Sequence, residues 1–331
     1  MDVPQVRGLE CTLGSTVPLH HEPHPESDPG PPLSDDPGTV HGPLHARSLT
    51  AGSVSRYSTG HLRMGGVVLI TQVVASDFHV PYHDPKLLGL FVDFCDVTQP
   101  DEIHLLGDYQ NCGSLSLKFA DAAKDLRDQR IAWEISVGRA ILERLRDRFK
   151  KTRIVYHDGN HEHRLDRYVR THARVLQGLK GLTVPELLGL SDLKMEYHEY
   201  GTFVKCGKLG LTHGDIVRTG SGTSARAMLQ KWGQSVLFGH THRLGAVYRT
   251  NGVDTSGAWE NGCMCLLDQP YTHGPTDWQQ GWSIVYNDMK TRFNVVQVPV
   301  VNHRYIFEGK EYPNGCKANA SFCAGLPRAS F

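Results

Sequence analysis

Short polar runs rich in histidine, aspartate and asparagine are the part of this sequence best suited to chemistry. They are Asp77-Phe78-His79, Gly107-Asp108, Gly159-Asn160-His161-Glu162, His213-Gly214-Asp215 and Gly239-His240-Thr241-His242. Carboxylate, amide and imidazole groups can ligate divalent cations, and a histidine beside a ligand can transfer a proton. Gly159 would permit an unusual backbone angle next to Asn160. Any one run alone is more typical of an ordinary turn, so its meaning depends on the others.

Each polar run follows a short segment with the pattern of a β-strand. The segments are residues 67–76, 102–106, 153–157, 209–212 and 235–238. Asp84 before a proline is typical of a helix N-terminus, so the first strand, a helix and the second strand predict a βαβ unit with parallel strands. Ligand sites in such sheets lie outside the carboxyl ends of the strands. We therefore expect the runs to converge, with the i, i+2 pairs Asp77/His79 and His240/His242 each pointing one way.

Further helices and strands are predicted around these segments. A helix over residues 118–150 has an apolar stripe that is more often a packing face than a binding one, formed by Leu126, Trp133, Val137, Ile141, Leu145 and Phe149. A second helix is expected to begin near His163 and run through Val175, and short strands are expected at residues 194–200 and 203–206. Alternation over residues 262–266 predicts a strand with Cys263 and Cys265 on one face, as a core pair.

The composition indicates a globular protein without a dominant charge. The chain has 331 residues, 39% of them hydrophobic, and 35 basic residues balance 35 acidic ones. This balance gives no sign of a nucleic-acid coat or a membrane-surface protein. Eight cysteines without CxxC spacing predict neither a disulfide framework nor a zinc ribbon, so we expect a reducing, cytoplasmic setting. No apolar run reaches the roughly 18 to 20 residues of a membrane span, and no signal-peptide pattern is present.

The sequence divides into three parts by composition. Residues 1–63 are rich in proline, histidine and glycine and keep no helical or strand period, which predicts a disordered extension. Residues 64–307 carry the patterned strands and helices, enough for one sizeable domain. Residues 308–331 are expected to form an irregular C-terminal tail.

In residue types and in order, the five polar runs resemble the motifs of the calcineurin-like metallophosphoesterase superfamily, in particular the small phosphoesterases of bacteria and their phages. The resemblance implies a four-layer α/β/β/α sandwich of two mixed sheets flanked by helices. Two departures are visible. Glu162 stands where aspartate is commoner, and Asn111 stands where an aspartate often closes the second motif. Neither position is a metal ligand in the superfamily.

The resemblance also implies a dinuclear metal centre. It assigns one ion to Asp77, His79, Asp108 and His242, and the other to Asp108, Asn160, His213 and His240, with Asp108 bridging. Such ligands without thiolate suit Mn²⁺, with Fe or Zn²⁺ as alternatives. Two divalent ions, two carboxylates and a bridging hydroxide leave a formal charge of about +1, which attracts a phosphate ester and favours in-line attack by the hydroxide. His161 would then protonate the leaving oxygen.

Several neighbouring residues are candidates for substrate contacts. Arg164 and His83 could face the substrate phosphate, as could Arg167, although basic residues at the start of a helix are more often only solvated, and His83 could belong only to the loop before Asp84. The tryptophans at positions 259, 278 and 282 could form a stacking wall for a base or sugar. Packing of a sheet edge is the more usual role of tryptophan in a strand-rich region.

The leading functional prediction is metal-dependent hydrolysis of a small or nucleotide-like phosphoester. The alternative enzyme is a DNA exonuclease or endonuclease like the repair nucleases of the same superfamily, which would make nucleic acid the partner. The near-neutral charge counts mildly against long DNA, whose binding depends on several Lys or Arg contacts to phosphate. The third alternative is a catalytically silent scaffold, which would not need the complete ligand set or His161. Membrane partners are not expected.

Overall fold

The computed structural model describes residues 63–64, 67–115, 131–269, 272, 274–312 and 320–326. The predicted disordered extension, residues 1–63, therefore lies outside the described residues except for Arg63, as does Leu126 of the predicted long helix. Cysteines in the described ranges are free thiols. Among the helices in these ranges, none combines the length and the apolar character of a membrane span.

From residue 70 to residue 238, the described strands and helices largely alternate along the chain. The strands are β1 (Arg63–Met64), β2 (Val67–Val68), β3 (Ile70–Ala75), β4 (Glu102–Leu106), β5 (Arg153–His157), β6 (Glu196–His198), β7 (Val204–Cys206), β8 (Leu209–Thr212), β9 (Ser235–Phe238), β10 (Leu244–Thr250), β11 (Thr255–Asn261), β12 (Gly281–Asn287), β13 (Phe293–Pro299), β14 (Tyr305–Phe307) and β15 (Lys310–Tyr312). The α-helices are α1 (Pro85–Thr98), α2 (Ile131–Arg148), α3 (His163–His172), α4 (Val184–Leu188), α5 (Thr223–Trp232) and α6 (Ala320–Cys323).

Two mixed sheets bring the five motif-bearing strands to common edges. The larger sheet has the order β13-β12-β3-β4-β5-β6, in which β3, β4, β5 and β6 are parallel and β12 pairs antiparallel with β3. The smaller sheet has the order β10-β11-β9-β8-β7, in which β8 and β9 are parallel. Because neighbouring parallel strands end at the same edge, the polar runs after β3, β4 and β5 lie side by side, and so do those after β8 and β9.

The hydrophobic core is layered, and its layers confirm the predicted four-layer α/β/β/α sandwich. One face of the larger sheet packs against α1 and α2, as Val73 and Ile103 do with Phe91 and Ile141. Its other face packs against the smaller sheet through a cluster that includes Val74, Leu106, Val285, Leu209, Leu211 and Leu237. The outer face of the smaller sheet is covered by α5, whose Met228 and Leu229 join Val236 and Phe238.

The sequence predictions for the ends of strands and helices are partly confirmed. Asp84 caps α1 as predicted, since its Oδ1 accepts hydrogen bonds from the backbone N–H of Lys86 and Leu87 at 2.9 and 3.2 Å. The first strand was predicted too long, because residues 67–68 pair with residues 63–64 in a separate hairpin and the central strand begins at Ile70. The two short strands predicted at residues 194–200 and 203–206 are reduced to β6 and β7.

The predicted helices also changed at their ends. Helix α2 begins at Ile131 among the described residues and buries Val137, Ile141 and Leu145, which confirms the packing role of its stripe. The helix predicted through Val175 ends at His172, because Ala173 leaves the helical region with a φ of −137°. Residues 174–176 continue as a short 3₁₀ turn in which Val175 is exposed.

Two other segments differ from the sequence prediction. Residues 262–266 are not a strand, because β11 ends at Asn261 and the chain continues through isolated bridges; Cys263 and Cys265 are nevertheless both buried. The predicted irregular tail contains β15 and α6, and Phe322 and Leu326 are buried in the core beside α1 and α2. Arg144 of α2 holds this end of the chain through a hydrogen bond of 2.8 Å to the carbonyl of Ala324.

Candidate metal centre

The residues predicted as ligands lie together at the carboxyl ends of β3, β4, β5, β8 and β9. One ligand atom from each of Asp77, His79, Asp108 and His242 lies within 4.8 Å of the others, and the same holds for Asp108, His213 and His240. Asn160 joins the second group, because its Oδ1 lies 3.2 Å from His213 Nε2. We call these seven residues the Asp–His cluster. Asp108 belongs to both groups, as a bridging residue must.

The backbone of the Asp–His cluster is held in an unfavourable conformation. Five members have positive φ, namely Asp77 (56°), His79 (49°), Asp108 (48°), His240 (70°) and His242 (58°). For residues with a side chain this left-handed region costs about 1–2 kcal/mol each. It persists where the surroundings fix the chain, here through hydrogen bonds from Asp77 N to Gly107 O (3.0 Å) and from His79 N to Asp108 O (2.9 Å). Such concentration of strain is typical of functional sites.

Glycines in the motifs make room for carboxylates from other motifs. A Cβ atom on Gly159 would lie 2.1 Å from Asp108 Oδ1, and one on Gly239 would lie 2.6 Å from Asp77 Oδ2. Neither glycine has positive φ. The sequence interpretation of Gly159 as a residue with an unusual backbone angle is therefore wrong, and its role is close approach of two strand ends.

Electrostatic coupling in the cluster centres on Asp108. Its Oδ2 lies 3.2 Å from His213 Nε2, 3.8 Å from His161 Nε2 and 3.9 Å from His79 Nε2. Burial opposes ionisation of Asp108, but these imidazoles hold its pKa well below the usual value. Burial alone would lower the pKa of His213. The neighbouring Asp108 carboxylate overcomes this effect and raises that pKa to about 10.

The imidazoles of His79 and His240 are kept neutral. Burial, followed by the nearby His242, lowers the pKa of His79 to about 4, and burial with His213 does the same for His240. Neutral imidazole is the form that binds a metal ion. His79 Nε2 and His242 Nε2 face each other at 2.9 Å, an arrangement in which they can share one proton or ligate one cation.

The donor set fits divalent metal ions. Within the described residues, every ion pair made by Asp77 or Asp108 is to a histidine. Two buried carboxylates with only histidines as ionic partners in this part of the chain are costly unless a cation neutralises them. The ligand atoms are oxygen and imidazole nitrogen, without thiolate, which suits Mn²⁺, Fe or Zn²⁺. The cluster can therefore hold metal ions.

His161 lies beside the cluster, oriented by Asn111 and Arg164. Its Nδ1 lies 2.7 Å from the carbonyl oxygen of Asn111, and its Nε2 lies 2.7 Å from Arg164 Nη2 and faces Asp108. Arg164 Nη1 donates to the same carbonyl at 3.0 Å. The Asn111 side chain also contacts the cluster, since its Oδ1 lies 3.2 Å from His79 Nδ1. Asn111 therefore positions two histidines, a role that its departure from the motif did not reveal.

Two buried glutamates tie the motifs together. Glu162 accepts hydrogen bonds from Gln110 N (2.7 Å), Gly159 N (2.9 Å) and Tyr156 Oη (3.0 Å), which joins the turn after β4 to the turn after β5. Glu260 accepts from Thr241 Oγ1 at 3.1 Å and from the backbone at the start of α5. Glu260 was missed in the sequence, where the only signal was a carboxylate inside a strand.

Of the other residues considered for substrate contacts, some are buried, one is exposed and one contacts the Asp–His cluster. His83 is buried and bridges to Cys265 through its backbone, and it is not among the converging ligand atoms. Arg167 is exposed on α3. Trp259 and Trp282 are buried in the hydrophobic core, whereas the ring of Trp278 packs edge-on against His242 with centroids 4.2 Å apart.

Comparisons with known proteins show similarity to two phage proteins. No protein-family model matches the chain. The Gene 54 protein of Mycobacterium phage L5 is 27% identical over 251 residues, which covers 72% of this chain and 96% of the phage protein. The Gene 54 protein of Mycobacterium phage D29 is 28% identical over 265 residues, with the same shares covered.

Solved structures with related architecture are more distant. Vps29 from Entamoeba histolytica, complexed with Zn²⁺, is 14% identical with a TM-score of 0.35 and covers 73% of this chain and 96% of its own. TT1561 of Thermus thermophilus is 11% identical with a TM-score of 0.31 and covers 69% of this chain and 98% of its own. At these values the chemistry must be argued from the side chains of the Asp–His cluster itself.

Proposed function

We propose that the protein is a calcineurin-like metallophosphoesterase that hydrolyses a small phosphoester with the help of two divalent metal ions. The observation that carries the proposal is the convergence of two buried carboxylates, four imidazoles and one amide from five strand ends, with Asp108 shared by both groups. The four-layer fold and the order of the motifs support the same family. A protein that only bound a partner would have no need of this strained and charged arrangement.

The Asp–His cluster supplies two overlapping sets of ligands. Asp77, His79, Asp108 and His242 would hold one ion, and Asp108, Asn160, His213 and His240 the other. When bound, such ions acidify water and neutralise charge on the phosphoryl group. Mn²⁺ is our first choice because the donors are carboxylate, amide and imidazole, with Fe and Zn²⁺ as alternatives.

Arg164 brings a positive charge to the edge of the cluster. Its guanidinium lies 2.7 Å from His161 Nε2, and His161 in turn lies next to Asp108. A phosphate ester carries oxygens that bind guanidinium well. We therefore assign Arg164 to the substrate phosphate. His83 is buried in the loop before α1, so we assign it no substrate contact.

His161 is the residue that would donate a proton to the leaving oxygen. In this arrangement Nδ1 donates to the Asn111 carbonyl and Nε2 accepts from Arg164, so the proton needed on Nε2 is not yet there. Two donors cannot face each other at 2.7 Å. Protonation of Nε2 therefore requires the Arg164 guanidinium to move away from His161. Binding of the guanidinium to the substrate phosphate would cause that movement.

The role of His161 can be tested separately from metal binding. His161→Ala should keep two ions per chain and lose about 10²–10⁴-fold in turnover of an alkyl phosphate, whose leaving oxygen needs a proton. An aryl phosphate with a stable leaving group should suffer much less. Metal content by elemental analysis and rates on both substrates check the prediction. Equal losses on the two substrates, or loss of metal, would contradict the role of His161.

The proposed function itself is tested by a panel of substrates. Metal-free protein is supplied with Mn²⁺, and cleavage of an aryl phosphomonoester, an aryl phosphodiester and a labelled DNA single strand is followed with and without chelator. We expect chelator-sensitive cleavage of at least one small ester. Preferential cleavage of the DNA strand would favour the nuclease alternative. No cleavage by protein that has bound two ions would favour the scaffold.

A further inference from the structure

We infer that Trp278 is a stacking platform for an aromatic ring of the substrate, so that the preferred phosphoester carries a nucleobase. This inference rests on the proposed function and adds the class of substrate. Trp278 differs from the other tryptophans near the site. Trp259 is 4% exposed and Trp282 fully buried, and both fill the hydrophobic core. Trp278 is half-buried and lies in the loop before β12.

The ring of Trp278 lies at the side of the Asp–His cluster that holds His79 and His242. Its centroid is 4.2 Å from that of His242, with the two planes at 75°. His242 directs Nε2 towards Asp77 Oδ1 at 3.3 Å, so the imidazole contacts both the indole and the proposed metal site. A phosphate held at the cluster would therefore place its ester substituent within reach of the indole.

The loop around Trp278 is fixed to the motif that carries His242. Arg243 Nε donates to Asp277 Oδ2 at 2.9 Å and to the Asp277 carbonyl at 3.1 Å. On the other side of the tryptophan, Gln279 N donates to the carbonyl of His242 at 2.8 Å, and Gln279 Oε1 accepts from Leu244 N at 3.1 Å. A ring held on both sides before the ligand arrives loses little freedom on binding.

The chemistry of a half-buried indole beside a phosphate site favours a nucleobase. Leucine or valine would bind an apolar substituent without hydrogen-bonding edges equally well, and neither would expose an aromatic ring to water. Every nucleobase offers a π-face, and stacking on an aromatic side chain is worth about 1–3 kcal/mol per base by alanine substitution. The amphipathic indole also tolerates the partly wet position that Trp278 occupies.

Adenosine 5′-monophosphate and ribose 5-phosphate test the inference, because they share sugar and phosphate and differ only in the base. With Mn²⁺, we expect the wild-type protein to prefer the nucleotide about tenfold in kcat/KM, as stacking of one base would give. Trp278→Leu should lose that preference through a higher KM for the nucleotide alone, and Trp278→Phe should keep most of it. An equal loss on both substrates would overturn the inference, since Trp278 would then only support His242. Absence of any preference in the wild type would also overturn it.

A binding measurement separates this inference from the proposed function. Tryptophan fluorescence is titrated with each compound in the presence of Mn²⁺, with Trp232→Phe as a control at the far end of α5. We expect the nucleotide, and not ribose 5-phosphate, to quench the wild type and the control but not Trp278→Phe. If neither compound is hydrolysed, the panel of esters still decides the proposed function, and this titration alone decides the inference. Equal quenching of all three proteins would overturn it.

Discussion

Two groups that combine histidines with carboxylates lie on the sheets or at their strand ends, and they balance their charges in different ways. One is the Asp–His cluster at the strand ends. The other, which we call the histidine ladder, crosses the strands themselves and consists of Glu102 and His104 on β4, Arg153 and His157 on β5, and Glu196 and His198 on β6. Both combine histidines with carboxylates, so their difference shows what makes such a group functional.

The histidine ladder closes on itself. Arg153 joins Glu102 and Glu196 at 2.6 and 2.7 Å. His104 Nε2 lies 3.0 Å from Glu102 Oε2 and its Nδ1 lies 3.1 Å from His157 Nε2. The rings of His157 and His198 are in contact, and His198 Nε2 lies 3.0 Å from Glu196 Oε1. Each carboxylate therefore has a cation and an imidazole as partners.

The Asp–His cluster lacks an Arg or Lys partner among its described ion pairs, and it lacks the regular backbone of the ladder. Its carboxylates have only histidines as ionic partners in the described part of the chain, and five of its seven residues hold a positive φ. The ladder residues have no positive φ and lie in regular strands. A polar group that satisfies itself on a relaxed backbone needs no ligand. The cluster sets two buried carboxylates against one protonated imidazole, His213, on a strained backbone, and that combination indicates a place for cations.

The largest effect should come from removing the shared carboxylate. Asp108→Asn should lower phosphoesterase activity at least about 100-fold, because loss of a mere outer partner of a metal ligand already costs 10- to 100-fold. Addition of Mn²⁺ stabilises a protein that binds it in the folded state, and this rise in Tm should also be lost. Glu102→Gln in the ladder is the matched control, and it should keep the full rise. If both variants lost the Mn²⁺-induced rise in Tm, the two regions would not differ in the way we describe.

The ladder should instead contribute to stability. His104→Leu removes an imidazole that is fully buried between Glu102 and His157 and leaves polar groups unpaired. We expect the free energy of unfolding to fall by about 2–4 kcal/mol, the range for breaking buried charged hydrogen bonds. Denaturant unfolding with and without Mn²⁺ measures it. The drop should be the same under both conditions, and the folded variant should keep its activity; a selective loss of metal binding would contradict the separation.

The site was easier to predict from the sequence than the ladder, and the reason is physical. Polar residues directly after strand-like segments are visible as local runs, and parallel pairing brings the strand ends within each sheet together. The strands at residues 102–106, 153–157, 209–212 and 235–238 and the Asp84 cap are confirmed. What the sequence could not supply was the long-range placement of Asn111, Glu260 and Trp278, because their partners are remote in the chain and depend on how the sheets pack.

The ladder shows the limit of reading single strands. Glu102 and His104 alternate with apolar residues, but in one strand this pattern does not reveal a partner. The partners follow from register, which places Glu102 opposite Arg153 and His157 opposite His198. A shift by one residue would turn these side chains to the other face. Register is set by the whole sheet, so the ladder became visible only in the structure.

The pH dependence of stability offers a finer distinction. Burial opposes ionisation of Glu102, but His104 and Arg153 overcome it and lower its pKa from 4.5 to about 2. A carboxyl whose pKa is lower in the folded protein stabilises it fully above its unfolded pKa and loses that contribution as the pH falls from about 4.5 to 2. The contribution is about 3 kcal/mol. Unfolding of chelated wild type and Glu102→Gln at several pH values should show their difference shrinking over that range.

A constant difference between those two proteins would mean that the ladder does not hold Glu102 ionised. His157 adds a second step at higher pH. Burial, with His104 and His198 beside it, lowers the pKa of His157 well below 6.5, so its neutral form is favoured by folding and stability falls as the pH drops through 6.5. Because Glu102→Gln keeps His157, this step should remain in the variant.

The smallest effect is expected at the exposed end of the ladder. The side chain of Glu196 is 41% exposed, although it contacts both Arg153 and His198. Solvent screens exposed ion pairs, which contribute about 0–1 kcal/mol. Glu196→Gln should therefore lower the free energy of unfolding by less than about 1 kcal/mol and leave the Mn²⁺-induced rise in Tm unchanged. Denaturant unfolding of Glu196→Gln and His104→Leu, measured side by side, compares the exposed and the buried end of the histidine ladder. If both variants lowered the free energy of unfolding equally, the stabilisation would come from the histidine ladder as a whole and not from its buried members.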